Sequence, residues 1–535
     1  MVRPELRHAL ESKRAKIQEI CKISGVAGAS IAVIGHGETV FQDNFGYRDL
    51  VEQQPVTSDT IFHIASLTKS FTGACIQKLR AQGRLELDDP IQKHLPEAKN
   101  ADPTVAATAT IADLLGHRTG LERADNIWLG SQGELLINRD QTAAVFNHLR
   151  TRASIRSHFY YNNICYAVLG EIIAKLTGQP YHTYLKETIL DPLNMTRTVV
   201  TKDGGLPDNS SLAYSTLDDG KPYNVPLPGS SGSVAMGSAG GLLSSVNDLS
   251  KYCKALMRSW NSQTQGKMAD CGIEHETAVF DEVSWLFAPL QIMETPTFRE
   301  KSYAAGWARS QLPTAVGDIG VNPGLVEAMP LLADGIDSRL ALWHQGSLVG
   351  ATCFAMLLPE TESAVLVLTN TMAFNDAADW IGQLLVEALL DSPVQHDYIH
   401  LASVSADRAL TKYAELSQKV EEGRVSGGPD RLLSDYVGLY VGFGGIFRIE
   451  VVEGENGLEM LFQGRKSQQY QLRHHHDDAF TWFMSWNEQV KRARFIGYSL
   501  EVYFIQFNGE EGKGVTSLNW VHDAAIPEGE DFVKK

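Results

Sequence analysis

Segments with strand character occur in this chain at two places some 300 residues apart, and that spacing constrains its fold more than any other feature. The apolar run Val26-Ala27-Gly28-Ala29-Ser30-Ile31-Ala32-Val33-Ile34 ends in the turn Gly35-His36-Gly37, and Glu38 to Gly46 returns as a second strand. Comparable runs recur at Arg339-Leu340-Ala341-Leu342-Trp343, at Ala351 to Leu358 and at Ala364 to Leu368, before a helical pattern over Ala377 to Leu390. Between about 100 and 330 the chain mixes short helices with irregular stretches. Early strands, a helical middle and late strands predict one sheet built from both ends of the segment, with an all-α lobe inserted, an α/β sandwich. Residues 1–25 read as one amphipathic helix with Leu6, Leu10, Ile17 and Ile20 on a face.

The character changes after residue 396. Residues 397–430 predict a helix that ends in the linker-like Ser426-Gly427-Gly428-Pro429-Asp430. Beyond it Phe447, Ile449 and Val451 alternate with Arg448, Glu450 and Val452, Asn456-Gly457 signals a hairpin, and Leu458, Met460 and Phe462 resume the alternation. Phe480, Trp482 and Met484 continue it, and Asn508-Gly509 is a second hairpin signal. The organisation expected is a catalytic domain over 1–396, a helical linker over 397–430 and a small antiparallel β-barrel over 431–535. His474-His475-His476 is a poor chelate, because neighbours on a strand face opposite sides, and reads as a solvated turn.

A formal net charge of -17 over 535 residues argues against nucleic acid and anionic membrane as partners. The charged start Met1-Val2-Arg3-Pro4-Glu5-Leu6 lacks the apolar core of a signal peptide, and no apolar run is long enough for a membrane span. Six scattered cysteines without a C-x-x-C pair read as reduced thiols, so a cytoplasmic protein is expected.

Chemistry concentrates at Ser66-Leu67-Thr68-Lys69. The apolar positions Leu67, Phe71, Ala74, Cys75 and Leu79 put this stretch at the start of a buried helix, with Lys69 one turn from Ser66 on the same face. A serine hydroxyl needs a neighbour to take its proton. The helix N-terminus favours negative charge on a reacting carbonyl. Three other signals accompany it. Tyr161-Asn162-Asn163 offers a tyrosine that a cationic lysine could hold partly as phenolate, and an amide for lysine and substrate. His344-Gln345-Gly346-Ser347 lies between two strands, where small residues admit a substrate to the backbone and the N–H of Ser347 could join that of Ser66 as an oxyanion hole. Flanking these are Gly116-His117-Arg118-Thr119-Gly120-Leu121, Gly237 to Leu242, and Ala305-Gly306-Trp307; His117 and Arg118 could serve only to support their loop.

In this order the motifs resemble the class C branch of the serine β-lactamase and penicillin-binding-protein superfamily, over about residues 24–392. The C-terminal part is similar to the small lipocalin-like barrel appended to many such proteins. The resemblance implies a β-lactamase/transpeptidase-like fold, Ser66 as acylated nucleophile, Lys69 as the partner that helps deprotonate it and Tyr161 as the general base that later passes its proton to the leaving group. It implies that Asn163 orients the substrate, that His344 takes the place of the lysine in K-T-G, and that the strand at Gly346 and Ser347 binds the oxyanion. Trp307 and Trp343, beside these motifs, are candidates for lining the pocket, whereas Trp285 is expected in the core. Where relatives carry K-T-G this chain has His344-Gln345-Gly346, a weaker anchor for an anion. The expectation is therefore a serine hydrolase or acyltransferase, needing no cofactor or metal, acting on an ester, thioester, lactone or amide of a small-molecule acyl substrate. Secondary-metabolism esterase or transesterase is the leading form. D-amino-acid amidase or aminopeptidase, residual β-lactamase and a non-catalytic binding protein of the same fold are the alternatives, and a homo-oligomer is left open.

Overall fold

The computed structural model describes residues 4–200, 205–228, 235–265, 279–280, 282–294, 298–510 and 514–535. Its N-terminal helical stretch is two helices rather than the single one expected, α1 (Pro4–Glu11) and α2 (Arg14–Ser24). The break falls where the Ser12 hydroxyl turns back to the Ala9 carbonyl, a local bond that competes with the helix ladder. Leu10, Ile17 and Ile20 are buried as expected.

The strands are β1 (Gly28–Gly35), β2 (Glu38–Asp49), β3 (Gln54–Pro55), β4 (Gln291–Ile292), β5 (Lys301–Tyr303), β6 (Ala308–Leu312), β7 (Arg339–Leu348), β8 (Ala351–Leu358) and β9 (Ser363–Thr369). They form one antiparallel sheet in the order β3-β2-β1-β9-β8-β7-β6-β5-β4. The sheet is thus assembled from both ends of the segment, β1 pairing with β9 in the register Ala29↔Thr369 to Ile34↔Ala364. Both faces are covered, which is why the strands read as continuous apolar runs. Ile31, Val33, Trp343, Phe354, Met356, Val365 and Val367 face one core with the terminal helices, including α6 (Ala377–Leu389). Ala32, Ile34, Leu342, Ala355, Leu357, Leu366 and Leu368 face the other, shared with the inserted helices. Those helices include α3 (Thr68–Ala81), α4 (Asn163–Thr177) and α5 (Val246–Gln265).

Helix α7 (Tyr398–Glu421) leads to a second antiparallel sheet. Its strands are β10 (Gly438–Gly442), β11 (Phe447–Gly454), β12 (Gly457–Phe462), β13 (Gln469–Gln471), β14 (Arg473–His476), β15 (Ala479–Thr481), β16 (Phe504–Glu510), β17 (Gly514–Trp520) and β18 (Glu530–Lys534). The order β13-β12-β11-β10-β18-β17-β16-β15-β14 leaves the consecutive strands β13 and β14 at the two ends, so the sheet curls into a nearly closed barrel. Aromatic side chains fill its interior, among them Phe447, Phe462, Trp482 and Trp520, with Phe462 stacked on Trp520 at 4.9 Å.

Three local expectations change. Asn456-Gly457 does sit at a hairpin, but Asn508-Gly509 falls inside β16 at a bulge in its pairing with β17. The histidine run lies on β14 rather than in a turn, with His475 buried and donating to the Val420 carbonyl at 2.9 Å. Trp285 is not a core residue: it is 43% exposed and carries the Arg80 guanidinium 4.5 Å from its ring. Five cysteines are free and buried, and Cys271 lies outside the described residues. No described helix is long and apolar enough to cross a membrane.

Candidate active site

Ser66 sits in a single 3-10 turn (Ala65–Leu67) that runs straight into α3, so its hydroxyl stands at the helix N-terminus. Lys69, in the first turn of α3, is completely buried. Its Nζ lies 3.2 Å from Ser66 Oγ, 2.8 Å from Asn163 Oδ1 and 2.7 Å from the Ala239 carbonyl. The last two partners only accept, and the Asn163 orientation is set by its Nδ2 donating to Asp125 Oδ1 at 3.0 Å. Two Lys69 hydrogens are therefore committed to Asn163 and Ala239. The remaining position faces Ser66, and on a neutral amine it is a lone pair aimed at the serine proton.

The electrostatics favour that neutral amine. Burial pulls the Lys69 pKa down to about 7, Asp125 opposing and Arg123 reinforcing the shift. The amine also lies over the rings of Tyr161, at 4.8 Å, and Tyr166, at 5.4 Å. Ser66 is the only hydrogen-bonding neighbour of Tyr161 Oη among the described residues. Burial raises its pKa, with the adjacent Ser66 hydroxyl and Arg123 only partly offsetting this. Burial thus keeps Tyr161 a phenol in the free protein rather than the partial phenolate expected.

Small residues in the flanking motifs let backbone reach this centre. A Cβ on Gly306 would lie 2.5 Å from the Lys69 carbonyl, so Ala305-Gly306-Trp307 can pack on the first turn of α3 only without a side chain there. The Gly237 to Leu242 segment brings in the Ala239 carbonyl, and Ser238 and Leu242 bond Thr72 and Thr68 of α3. His117 pins the tyrosine segment, its Nδ1 accepting from the Asn162 N–H at 3.1 Å and its carbonyl from the Tyr160 N–H at 2.8 Å. Arg118 supports the same loop through Asp113 at 2.6 Å.

On β7 the pleat decides which motif residues face the nucleophile. Gly346 does: a Cβ there would lie 3.1 Å from the Ser66 nitrogen. Trp343 is on the opposite face, buried, its Nε1 donating to Ser310 Oγ at 2.8 Å. Trp307 is buried in the core on the helical side. Neither lines the cleft, which corrects the expectation for both; a family motif beside them in sequence does not fix the direction of a side chain. His344 is buried, donates Nδ1–H to the Gln345 carbonyl and accepts from the Tyr303 hydroxyl at 3.0 Å. Burial first, then the Lys69 charge, lower its pKa to about 3. It is a neutral, satisfied ring rather than an anion anchor. The ladder pairs Gly346 with Cys353, Ser347 with Thr352 and Leu348 with Ala351 across the two-residue connection Val349-Gly350. Thr352 donates its N–H to Thr369 Oγ1, away from β7, so Ser347↔Thr352 is a non-hydrogen-bonded pair and the Ser347 N–H points off the ladder. Beyond Ala308↔Trp343 strand β6 no longer covers that side of β7.

The barrel completes the cleft. A cleft of about 410 Å³ is lined by Ser66, Tyr161, Asn163 and Ser347 from the sandwich and by Phe495, Tyr498, His522 and Asp523 from the barrel. Asp523 Oδ2 accepts the N–H groups of Arg123, at 2.8 Å, and Ala124, at 3.3 Å. Asn126 donates to the His522 carbonyl at 2.9 Å. Asp125, the Ala239 carbonyl and these barrel residues escape sequence reasoning. Asp125 follows no motif spacing, a backbone carbonyl has no residue signature, and the barrel residues lie over 300 positions from Ser66. Among the described residues no group of three or more His, Cys, Asp or Glu side chains is placed to hold a metal ion.

A family model described as Beta-lactamase matches residues 14–388. The chain belongs to the β-lactamase family. A second model, Domain of unknown function (DUF3471), matches residues 423–531, the region of the barrel. Curated relatives include Protein flp of Staphylococcus aureus (strain MRSA252), 31% identical over 35% of this chain and 38% of that protein. Another is Unguisins hydrolase ungD of Aspergillus violaceofuscus, 28% identical over 45% of this chain and 44% of that protein. The match thus spans less than half the length of these relatives. A solved structure, the octameric penicillin-binding protein homologue from Pyrococcus abyssi, shares the fold over 98% of this chain and 99% of its own, with a TM-score of 0.54 and 21% identity. The β-lactamase family comprises serine hydrolases, and the two-part architecture found here is that of the family fold with a barrel appended.

Proposed function

We propose that this β-lactamase-family protein is a serine hydrolase that cleaves an ester or amide with no charge beside the scissile bond through an acyl-enzyme on Ser66. The observation that carries the reading is the buried Lys69 amine, whose two donated hydrogen bonds leave its lone pair facing Ser66 Oγ at 3.2 Å. Ser66 Oγ attacks the substrate carbonyl while its proton passes to Lys69. The oxyanion lies between the N–H groups of Ser66 and Ser347, where the loss of one donor typically costs roughly 10²–10³ in rate. The carbonyl bond to the leaving group breaks, and that group takes up the proton through Tyr161, whose hydroxyl is otherwise unpartnered. Water then attacks the acyl-enzyme with Lys69 and Tyr161 working in reverse. Asn163, clamped between Lys69 and Asp125, holds the amine in place.

Substrates without a carboxylate beside the scissile bond are favoured, because His344 is neutral where a K-T-G lysine would be charged. Arg123, which does line the cleft, is paired with Asp125 at 3.1 Å. A relative named as a hydrolase supports hydrolysis over transfer. The test is a panel of p-nitrophenyl esters, D-amino-acid amides and nitrocefin, with intact mass after a fluorophosphonate probe. An adduct on Ser66 and ester turnover that disappears in Ser66→Ala support the reading. A label elsewhere, or full turnover by Ser66→Ala, overturns it. Preferential turnover of the amides would shift the substrate to the D-amino-acid amidase alternative.

A further inference from the structure

The space at Ser66 has two unequal arms. One is a small recess of about 50 Å³ beside the nucleophile, bounded by Trp128, Leu135, Met236 and Leu348. The other is the cleft under the barrel, and it does not end at the catalytic residues. It shares Gly320, Val321, Ser347, Phe495, Tyr498 and Ser499 with a further cavity of about 740 Å³ between α7, the 320–325 loop and the barrel segment 495–501. The two meet at the side of β7 that β6 leaves uncovered.

Tyr161 decides which part of a substrate enters which arm. It borders the cleft and not the recess, and the leaving group must lie where it can receive a proton. The acyl group therefore occupies the recess and the leaving group the cleft that continues into the large cavity. That cavity is walled by the buried Met372, Phe374, Tyr413 and Trp486, with Leu416 beside them. Its α7 rim carries Arg408, Lys412 and Lys419. Arg408 is bonded to Glu415 at 2.7 Å, and Glu415 also interacts with Lys412 and Lys419, so the three cations of the rim face two carboxylates, Glu415 and Glu501. The excess of one positive charge on this rim, on a chain of net charge -17, favours an anionic end over a cationic one there.

We propose that this cavity is a leaving-group arm of the active site, built for an alcohol or amine with an extended apolar body and an anionic end. The inference rests on the hydrolase reading above. Its substrates join a short, uncharged acyl group to such a leaving group. Each methylene fully buried in the arm is worth roughly fourfold in kcat/KM.

The experiment measures butyrate release from ω-butyryloxy derivatives of hexanoate, dodecanoate and hexadecanoate, and from their methyl esters. Each kcat/KM is divided by that for p-nitrophenyl butyrate, so a general loss of active protein cancels. The ratio is expected to rise at least about tenfold from hexanoate to dodecanoate, and the free carboxylates to outrun their methyl esters. Ala409→Trp, which fills the arm from α7, should flatten the length dependence. Lys412→Glu combined with Lys419→Glu should remove the carboxylate preference. A ratio indifferent to chain length, or a length dependence that survives Ala409→Trp, overturns the arm. Failure of p-nitrophenyl butyrate itself to turn over through Ser66 would instead overturn the hydrolase reading, so the two failures are distinct.

Discussion

Lowering the pH from 8 to 6 is expected to slow acylation of Ser66 about tenfold, because it loads a proton on Lys69. With burial holding that pKa at about 7, roughly nine-tenths of the amine is neutral at pH 8 and roughly a tenth at pH 6. Only the neutral form can accept the Ser66 proton, since its other two hydrogen-bonding positions are held by Asn163 and Ala239. The assay is the pseudo-first-order rate of labelling by a fluorophosphonate, followed by intact mass, which isolates acylation from turnover. Lys69→Arg, which cannot deprotonate, should lose roughly 10²–10⁴ of that rate and its pH dependence. Two other buried groups titrate in this range: Asp379, raised by burial to about 6 and held by Asn322 and by Gln345 of the cleft, and Glu122, raised by burial to about 7 with Arg150 opposing. Glu122 Oε1 accepts the Arg150 N–H and Glu122 touches no reacting group, so Glu122→Gln should keep the rise. His344 and His117 stay neutral throughout, both depressed chiefly by burial. A profile that is flat between pH 6 and 8, that rises only near the ordinary lysine range, or that vanishes in Glu122→Gln would refute the reasoning.

Lys69→Met should be inactive yet more stable. The amine is charged in the unfolded chain up to 10.5 and in the folded one only up to about 7, so folding at pH 7 carries a cost of about 4 kcal/mol, complete below pH 7 and gone above 10.5. Orphaning Asn163 Oδ1 and the Ala239 carbonyl returns roughly 1–1.5 kcal/mol each, leaving a net gain of about 1–2 kcal/mol in urea unfolding at pH 7 that shrinks as pH rises. A less stable variant at pH 7 would contradict the burial argument. Gly306→Ala should cut kcat at least about 100-fold, because its Cβ must displace the Lys69 backbone and its φ of 85° strains any side chain; wild-type kcat would show that the loop can retreat. Asp523→Ala leaves the Arg123 and Ala124 N–H groups unpaired at the barrel contact. It should cost about 2–3 kcal/mol of docking, visible as a lower Tm and a KM that rises more than kcat falls; an unchanged KM would show that the barrel does not shape the cleft.

Much of this was legible because it is written in short-range pattern. Apolar runs mark strands buried on both faces, and helical spacing after Ser66 puts Lys69 one turn away; both follow from the repeat of a strand or helix. Where the pattern is silent on direction, expectation failed. Trp343 and His344 are neighbours on β7, but only alternation against a known partner shows that the tryptophan faces α6 and the histidine faces Tyr303. Hairpin signals share this limit: Asn456-Gly457 turned the chain and Asn508-Gly509 only bulged it, since the surrounding ladder selects the register.

The sequence by itself determined the sheet built from two ends, the barrel that follows it and the Ser66–Lys69 pair, each a consequence of periodicity or spacing within a few residues. Only the tertiary structure decided the protonation of that pair and the shape of the space before it. Lys69 gives up its proton near pH 7 rather than 10.5 because α4, the Ala239 segment and the Gly306 loop together exclude water from it. The cleft acquires its wall because Asp523 latches a barrel 400 residues further along the chain onto the lobe at Arg123. Desolvation and enclosure are properties of what surrounds a residue, and these surroundings come from segments that meet only when the chain has folded.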